Sequence, residues 1–375
     1  MDFELSDTQR ERRRELLAAA SDRFGTRGGP LAREDWAAAA KLGMVGLCLP
    51  PEHGGGGLGA LDTALALEAF GQACPDTGLA FAIAAHLLAC AVPVRDFAAP
   101  SVRAELLTGL AGGELIAGNA MTEREAGSDV GRLAVTARRE GDRYVMNGEK
   151  TFVSNAAVAD LFVTYAVTDP DAGFLGLSAF AVPRALPGIT VGEPYRKLGL
   201  DGAPASWVRF EDCPIPAEYL LGEEGQGAAI FQHSMGWERG CLFGLYVGQM
   251  QRELDRCVRR ARTRRQFGHP IGDFQAVSHR IAGMRLRLES ARLLLYRACW
   301  LMDQDREHVE AVALSKVAVS EAAVANALDA VRVFGADGCL VDVGVEQQLR
   351  DAVPAVIFSG TSDIQRELIA REAGL

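Results

Sequence analysis

The amino-acid sequence predicts an α+β fold in which a compact β domain separates two α-helical domains. Helical periodicity fills residues 1–115 and returns at about residue 226, whereas short β-rich runs split by turns fill the stretch between them. A chain of 375 residues, of which 49% are hydrophobic, is also long enough for two or three domains. We therefore expect domains at residues 1–115, 116–225 and 226–375.

Composition argues against several classes of protein. The net charge of −10 argues against a nucleic-acid partner, because phosphate backbones need clustered basic residues. The N-terminus is acidic and lacks an apolar secretory region, and no uninterrupted apolar run reaches the ~18 residues of a membrane span. The longest candidate, residues 78–94, contains His86 and is interpreted as a buried helix. These observations predict a cytoplasmic protein without membrane association.

The eight cysteines are scattered singly along the chain. Neither a CxxC pair nor a Cys/His cluster with zinc-ligand spacing occurs. We therefore expect neither a metal site nor disulfides, which agrees with a reducing cytoplasm.

Apolar spacing and chain breakers predict the N-terminal helices. Asp7 is positioned to cap the first helix, and the glycine run at 54–57 separates the second helix from the third. The last two helices have apolar residues almost all round the axis, as is typical of helices inside a bundle. The predicted helices cover residues 10–24, 34–42, 62–73 and 77–92.

Alternating and β-branched runs predict the strands of the middle domain. The pair Asn147-Gly148 is the strongest short-range signal for a hairpin turn, so a hairpin is expected there. The predicted strands cover residues 133–139, 143–145, 161–167, 177–182 and 207–210.

Two motifs carry polar groups suited to a bound ligand. Residues 120–129 combine hydroxyls with a small-residue turn, which suits either a polar planar ligand or a capped turn between helix and strand. Residues 264–277 place a basic cluster before an aromatic residue and a Gly-x-Pro turn. That arrangement suits a diphosphate beside an aromatic ring system, or else a solvated basic helix end.

The C-terminal stretch Phe358-Ser359-Gly360-Thr361-Ser362-Asp363-Ile364-Gln365-Arg366 resembles a motif of the acyl-CoA dehydrogenase family. Residues 120–129, 150–156 and 264–277 resemble further motifs of that family, in the same order over nearly the whole chain. The resemblance implies an N-terminal helical bundle, a middle antiparallel β-barrel or sandwich, and a C-terminal four-helix bundle. It also implies FAD as cofactor and a homodimer or homotetramer in which FAD is bound across subunits.

The resemblance implies which residues contact FAD. Met121 and Thr122 would contact the flavin pyrimidine edge, and Phe152 would cover the flavin ring where the family usually has tryptophan. By its residue type alone, Phe152 would be a core aromatic on a strand. Arg332 and Gly335 belong to a motif that departs from the family pattern, with Arg332 for glutamine and Ala336 for glycine. The remaining implied FAD contacts are Ser128, Ser154, Arg264, Phe267, Gln275, Thr361 and Asp363.

The catalytic base is the main departure from the family's commonest pattern. Ser359 stands where many members have the catalytic glutamate, so it keeps a backbone N–H donor for the substrate but no carboxylate. In the isovaleryl- and long-chain-type branches the glutamate comes from the place that Glu238 occupies here, before Arg239. A neighbouring ion pair on a helix face is the alternative for these two residues. Apolar surroundings would raise the pKa of the carboxyl, so we assign Glu238 as the base.

Arg239 is expected to orient Glu238 or to pack structurally, at the edge of the substrate site. The helix of residues 80–92 is expected to line the acyl pocket, with His86 inside or near it. Its small residues, Ala85 and Ala89, would leave room for an acyl group.

These features predict an FAD-dependent dehydrogenase that removes an α-proton and transfers a β-hydride to flavin, desaturating an acyl-CoA thioester. A first alternative is an acyl or aminoacyl group on a carrier protein in a secondary-metabolite pathway. Others are a flavin oxidase or monooxygenase on the same scaffold and a catalytically idle binding subunit. The expected partners are the thioester and an electron acceptor such as an electron-transfer flavoprotein.

Overall fold

The computed structural model describes residues 4–25 and 31–375, and it shows the predicted order of helices, strands and helices. The first helical region contains α1 (Asp7–Phe24), α2 (Arg33–Lys41), α3 (Ala60–Ala73), α4 (Thr77–Ala85), α5 (Val92–Phe97) and α6 (Pro100–Gly112). The expected helix at 77–92 is present, but a π-helical turn at His86–Ala91 joins α4 to α5.

Helix α1 begins at Asp7 because Ser6, not Asp7, caps it. The Ser6 hydroxyl accepts a hydrogen bond from the Gln9 backbone N–H at 3.2 Å. The Gln9 side chain in turn accepts one from the Ser6 N–H at 3.0 Å, which completes a capping box. The expectation for Asp7 was therefore wrong by one residue.

Two helical stretches of the described chain, Thr77–Phe97 and Val309–Cys339, are long and apolar enough to cross a membrane by length and composition alone. The most apolar 18 residues of the first stretch are entirely buried inside the protein. It is a core helix, as expected from the apolar residues that surround its axis.

The middle region is a mixed sheet with strand order β6-β7-β3-β2-β4-β5-β8 and with β1 beside β4. The expected middle β domain is confirmed, but strands β1 and β2 run parallel to β4 and the path does not close among the described residues, so the sheet is mixed and open and not a closed antiparallel barrel. The strands are β1 (Ala117–Ala120), β2 (Thr136–Glu140), β3 (Arg143–Ser154), β4 (Leu161–Val167), β5 (Leu177–Pro183), β6 (Ile189–Val191), β7 (Ala205–Pro216) and β8 (Leu220–Leu221).

The hairpin expected at Asn147-Gly148 is also absent, because β3 runs straight through this pair and the turn lies between Glu140 and Arg143. The register with β7 shifts at this point. The Asn147 amide donates to Asp212 Oδ1 at 3.1 Å and accepts from the Asp212 N–H at 2.8 Å. The side chain of Asn147 therefore satisfies a bulge between two strands instead of a turn within one.

The second helical region continues to the C-terminus. Its elements are α7 (Gly227–Trp237), a π-helical turn (Glu238–Leu242), α8 (Gly244–Thr263), β9 (Arg265–Gln266), β10 (His269–Pro270), α9 (Gln275–Asp303), α10 (Val309–Phe334), α11 (Val345–Ala352) and α12 (Ser362–Glu372).

The two helical regions share one hydrophobic core with one face of the sheet. Alternate residues of β4 point to opposite sides, so Val163 joins that shared core while Phe162 joins a second core on the other face. The sheet is thereby fixed against the helices, and the edge of β1 meets the π-helical turn that follows α4.

Candidate active site

A cavity of about 440 Å³ lies between the helices and the sheet. Residues from both helical regions and from the sheet line it, in the stretches 81–89, 119–128, 152–154, 197–205 and 354–361 together with Glu238. Eight of the residues singled out in the sequence lie in its wall: Met121, Thr122, Ser128, Phe152, Ser154, Glu238, Ser359 and Thr361.

Glu238 opens the π-helical turn after α7, and its side chain is buried at the cavity wall. Its Oε1 accepts a hydrogen bond from the Ser359 hydroxyl. Its Oε2 is buried and has no hydrogen-bond partner among the residues that the structure describes. Burial raises the pKa of Glu238, and the Ser359 hydrogen bond and the charge of Arg239 partly offset that rise. One carboxylate oxygen is thus held and the other is free to take up a proton.

Arg239 forms its hydrogen bond with Ser359 and not with Glu238. Its Nε donates to the Ser359 carbonyl oxygen at 2.8 Å. Within residues 4–25 and 31–375 the side chains of Glu238 and Arg239 form no ion pair, so the alternative of a simple ion pair on a helix face is not what the geometry shows. Burial lowers the pKa of Arg239, although the nearby carboxylate of Glu238 opposes this effect.

Three cavity residues other than glycine adopt left-handed backbone conformations. They are Phe152 (φ 53°), Leu200 (φ 58°) and Ser359 (φ 55°). Such conformations cost energy in non-glycine residues and concentrate at functional sites. Phe152 also lies at an irregularity in β3, and 66% of its surface is exposed, with its ring centroid 5.2 Å from that of Tyr195. A large aromatic held out of the core in this way is suited to cover a ring in the cavity.

A buried ion pair that sequence reasoning missed fixes the loop after β1. Lys150 donates to Glu123 Oε1 at 2.8 Å and to the Met121 carbonyl at 3.1 Å. Glu123 also accepts from the backbone N–H groups of Ala134 at 2.7 Å and Val135 at 3.1 Å. Burial lowers the pKa of Lys150 to about 8, although Glu123 opposes this effect. Both residues stand within the motifs noted above, but no sequence signal shows that their charges are buried together.

A second missed residue, Asp351, holds the loop that carries Leu200. The Leu200 N–H donates to Asp351 Oδ1 at 2.6 Å, and the side chain of Asp351 is fully buried. Burial raises the pKa of Asp351 to about 6. The carboxylate therefore stabilises a left-handed residue in the cavity wall from helix α11, more than 100 residues away in sequence.

His86 was expected inside or near the acyl pocket; it does not line the cavity, which corrects its assignment to the substrate site. Its Nδ1 accepts from the Ala117 N–H at 3.0 Å, and its Nε2 lies 3.3 Å from the Leu110 carbonyl. Its ring packs edge-on against Trp36 with centroids 4.9 Å apart. The helix itself does line the cavity, through Phe81 and the two alanines at 85 and 89.

A second group of predicted FAD residues lies on the surface, outside the cavity wall. Phe267 and Gly268 form the two-residue tip of the β9–β10 hairpin with φ of 51° and 84°, and Phe267 is 91% exposed. Asp363 is exposed in the first turn of α12. The other exposed members are Arg264, Gln275, Arg332 and Gly335. None of these residues lines the cavity of the same chain.

The described residues contain no group of three or more His, Cys, Asp or Glu side chains that could hold a metal ion. In the same part of the chain all eight cysteines are free thiols, of which only Cys339 is exposed. The polar groups of the cavity are hydroxyls, an amide, a carboxylate and Lys197.

Comparison with known proteins identifies the class of enzyme. The chain matches the acyl-CoA dehydrogenase N-terminal domain at residues 4–114, the middle domain at 118–213 and the C-terminal domain at 225–374. The chain therefore belongs to the acyl-CoA dehydrogenase family, as the sequence motifs indicated, and it is an FAD-dependent dehydrogenase that acts on CH–CH groups.

Individual relatives are similar over their whole length. The L-prolyl-[peptidyl-carrier protein] dehydrogenase of Pseudomonas fluorescens is 51% identical, with all of both chains covered. A solved structure of PigA with FAD and proline is 42% identical, with a TM-score of 0.97 over all of both chains. The structure of the prolyl acyl carrier protein oxidase AnaB is 37% identical, with a TM-score of 0.96 over 99% of this chain and 100% of the other.

The cavity residues fit FAD, the cofactor of this family. Hydroxyls of Thr122, Ser128 and Ser154 line the wall beside the exposed ring of Phe152. Asn119, also in the wall, has a buried Oδ1 without a partner among the described residues. A polar ring system with hydrogen-bonding edges would pair with such groups, whereas a purely apolar ligand would leave them unsatisfied.

Proposed function

We propose that this enzyme oxidises the aminoacyl group of an L-prolyl thioester carried on a peptidyl carrier protein, with Glu238 as the base. The observation that carries the proposal is the buried Glu238 carboxylate at the cavity wall, with one oxygen held by Ser359 and the other without a partner in the part of the chain that the structure describes. The choice of substrate is supported by similarity over the full length to a prolyl carrier-protein dehydrogenase and to PigA and AnaB. This similarity favours an aminoacyl group on a carrier protein, the first alternative from the sequence, over an acyl-CoA substrate.

In the proposed reaction Glu238 Oε2 removes the α-proton, and the backbone N–H of Ser359 donates to the thioester carbonyl as negative charge develops there. Thr122, Ser154 and Phe152 would hold FAD at the cavity wall, where the cofactor would supply the acceptor for the hydride of the β-carbon. The product has a carbon–carbon double bond next to the carbonyl. Burial makes Glu238 a stronger base than a solvated glutamate, because its pKa is raised.

The apolar end of the cavity supports a small acyl group. The rings of Phe81 and Phe358 lie 4.7 Å apart between centroids and close one side of the wall. An apolar wall of this kind suits the hydrocarbon part of a prolyl ring. These apolar walls would also exclude water from the ionised base.

The substrate and the base are tested by mixing the holoenzyme anaerobically with thioesters and following the loss of flavin absorbance. We expect L-prolyl carrier protein to bleach the flavin faster than L-prolyl-CoA, and butyryl-CoA to bleach it slowest. Glu238→Gln should slow bleaching by roughly 100-fold or more. Glu149→Gln is the matched control, since Glu149 is outside the cavity and pairs with Arg209. Equal rates for parent and Glu238→Gln would contradict the assignment of the base.

An oxidase is the second candidate, because a solved structure with a TM-score of 0.96 is described as a prolyl acyl carrier protein oxidase. Reduced enzyme is prepared with substrate and then mixed with air-saturated buffer. Rapid reoxidation with one peroxide released per flavin would assign the oxidase. Slow reoxidation that an electron-transfer flavoprotein accelerates would assign the dehydrogenase.

We also propose that the enzyme is a cytoplasmic homodimer or homotetramer. The exposed set that includes Phe267 does not line the cavity of its own chain and would be available to FAD in a second copy. Light scattering should give a multiple of 40.1 kDa. Phe267→Ala should weaken FAD retention without unfolding the chain.

A further inference from the structure

We propose that Ser359 is a positioning residue for the base: its hydroxyl holds Oε1 of Glu238, so that Oε2 alone is left to receive the substrate proton. This inference deepens the proposed function and rests on Glu238 as its base. It assigns a role to the side chain of Ser359, in addition to the role of its backbone N–H.

The backbone of Ser359 is fixed from several sides. Its φ of 55° is followed by a φ of 87° at Gly360, so two successive residues are left-handed. A side chain at Gly360 would come within 3.3 Å of the Arg239 guanidinium and 2.7 Å of the Gln365 amide, which shows how closely this segment is surrounded. Directly afterwards Thr361 caps α12, with its hydroxyl 3.2 Å from the Ile364 N–H. The hydroxyl of Ser359 is therefore aimed by a rigid segment.

The residue before Ser359 anchors the same segment in the core. Phe358 stacks on Phe243 with ring centroids 5.7 Å apart and an interplanar angle of 28°. It also packs against Phe81 in the cavity wall. Because Phe243 directly follows the π-helical turn of Glu238, the hydroxyl and the carboxylate belong to one packed unit.

Glu238 and Arg239, which are adjacent in sequence, each form a hydrogen bond with Ser359. Arg239 donates to its carbonyl at 2.8 Å, and Glu238 accepts from its hydroxyl. If the residue at 359 only shaped the turn, the contact of Arg239 with its backbone carbonyl would be enough. Any residue type has that carbonyl. The second contact needs a hydroxyl, so the residue type at 359 matters for the base.

A hydroxyl suits this role because of its chemistry. It donates a stronger hydrogen bond to a carboxylate than to a carboxylic acid, so it favours the ionised form of Glu238 against the effect of burial. It can also go on donating to Oε1 when Oε2 carries the proton, so the contact survives turnover. An alanine at 359 would leave both carboxylate oxygens buried without a partner.

The test titrates Glu238 in the holoenzyme without substrate, through its carboxylic C=O infrared band, assigned by its loss in Glu238→Gln. In Ser359→Ala we expect the band to titrate at higher pH than in the parent, since a donor to the carboxylate is lost. Ser359→Thr restores the hydroxyl and should return the titration towards the parent, although a β-branched residue fits φ of 55° poorly. Identical titrations in parent and Ser359→Ala would overturn the proposal.

Flavin reduction by the thioester supplies the second measurement. On the acidic limb of its pH profile we expect Ser359→Ala to be slower by roughly tenfold, and Ser359→Thr to recover most of that loss. An equal loss in Ser359→Ala at every pH, with no recovery in Ser359→Thr, would assign Ser359 a structural role only. That outcome contradicts the proposal.

Ser362→Ala is the matched control, because Ser362 is in the same segment, is buried and makes no side-chain hydrogen bond to a described residue. It should leave the infrared titration unchanged. Failure of every thioester to reduce the flavin would contradict the proposed function. The infrared titration needs no thioester, so it still decides the role of Ser359.

Discussion

The Nε of Arg239 lies 2.8 Å from the carbonyl oxygen of Ser359, which links the π-helical turn of the base to the segment before α12. The two residues are 120 positions apart in sequence. The arginine next to the base therefore orients it indirectly, through the backbone of a third residue. Its positive charge acts on Glu238 as well, since it lowers the pKa of that carboxyl.

Substitutions of Arg239 separate its two effects. Arg239→Lys keeps the charge but loses the planar guanidinium, so we expect slower flavin reduction with an unchanged acidic limb in the pH profile. Arg239→Gln loses the charge too, and the acidic limb should move to higher pH because the pKa of Glu238 rises further. The pH profile of flavin reduction, followed by stopped-flow absorbance, measures both effects. Profiles that shift equally in both variants would argue against a separate effect of charge.

Phe152 is expected to retain the cofactor by covering the flavin ring. Phe152→Ala should increase FAD dissociation by roughly tenfold, because a stacked aromatic contributes about 1 kcal/mol beyond its buried area. Phe152→Trp should retain FAD as the parent does. Phe174→Ala is the control, since Phe174 is also an exposed phenylalanine but is outside the cavity wall. Dialysis followed by flavin absorbance gives the retained fraction, and equal losses from both alanine variants would contradict stacking at Phe152.

Lys150 and Glu123 are expected to stabilise the fold as a pair. Lys150→Met leaves the buried Glu123 without its cation and should lower the free energy of unfolding by roughly 3–5 kcal/mol. Adding Glu123→Gln should recover part of that loss, because no uncompensated charge then remains. Urea unfolding of the parent, both single variants and the double variant gives the coupling energy. Strict additivity of the two single effects would rule out the pairing.

His86 is expected to make the protein sensitive to acid. Burial lowers the pKa of His86 to about 4, from an ordinary value of 6.5, despite the opposing contacts to backbone groups. Between these values the unfolded chain binds a proton that the folded chain does not, so stability is present above pH 6.5 and declines towards pH 4. The complete loss corresponds to roughly 3 kcal/mol.

His86→Gln removes this titration, so its unfolding free energy should vary less over that pH window than that of the parent. The neutral amide can still accept from Ala117 and donate to Leu110. Urea unfolding at several pH values compares the two proteins. Parallel pH dependences would show that His86 does not contribute.

Local sequence signals predicted those parts of the fold that depend on neighbouring residues. The strand at 161–167 has the predicted ends, because a run of apolar residues is bounded by polar ones. The Asn147-Gly148 turn was wrong because the partner of Asn147 is Asp212, on another strand. The open sheet, likewise, depends on pairings between distant strands that no local pattern specifies.

Sequence motifs predicted which residues would belong to the candidate site. They did not predict which polar side chains would be buried behind it. The motif resemblance singled out Thr122, Ser154 and Glu238, and the structure brings them to the wall of one cavity, while their roles stay predictions. His86 was assigned to the acyl pocket from its helix, but its partners come from residues 110 and 117. Residues such as Asp351 support the cavity from behind the wall, and a carboxylate there has the same sequence appearance as one in solvent.

The π-helical turn at Glu238–Leu242 makes the length of this segment as important as its composition. A π turn holds one more residue than the α-helical turn it replaces. Deleting one residue there would restore α-helical bonding and rotate the preceding helix by about 100°, with a shift of about 1.5 Å. Glu238 stands at that junction, so a single deletion would swing its carboxylate away from the cavity although every side chain of the site remained. Among otherwise similar chains, the count of residues between Glu238 and Gly244 therefore predicts whether the base is in place.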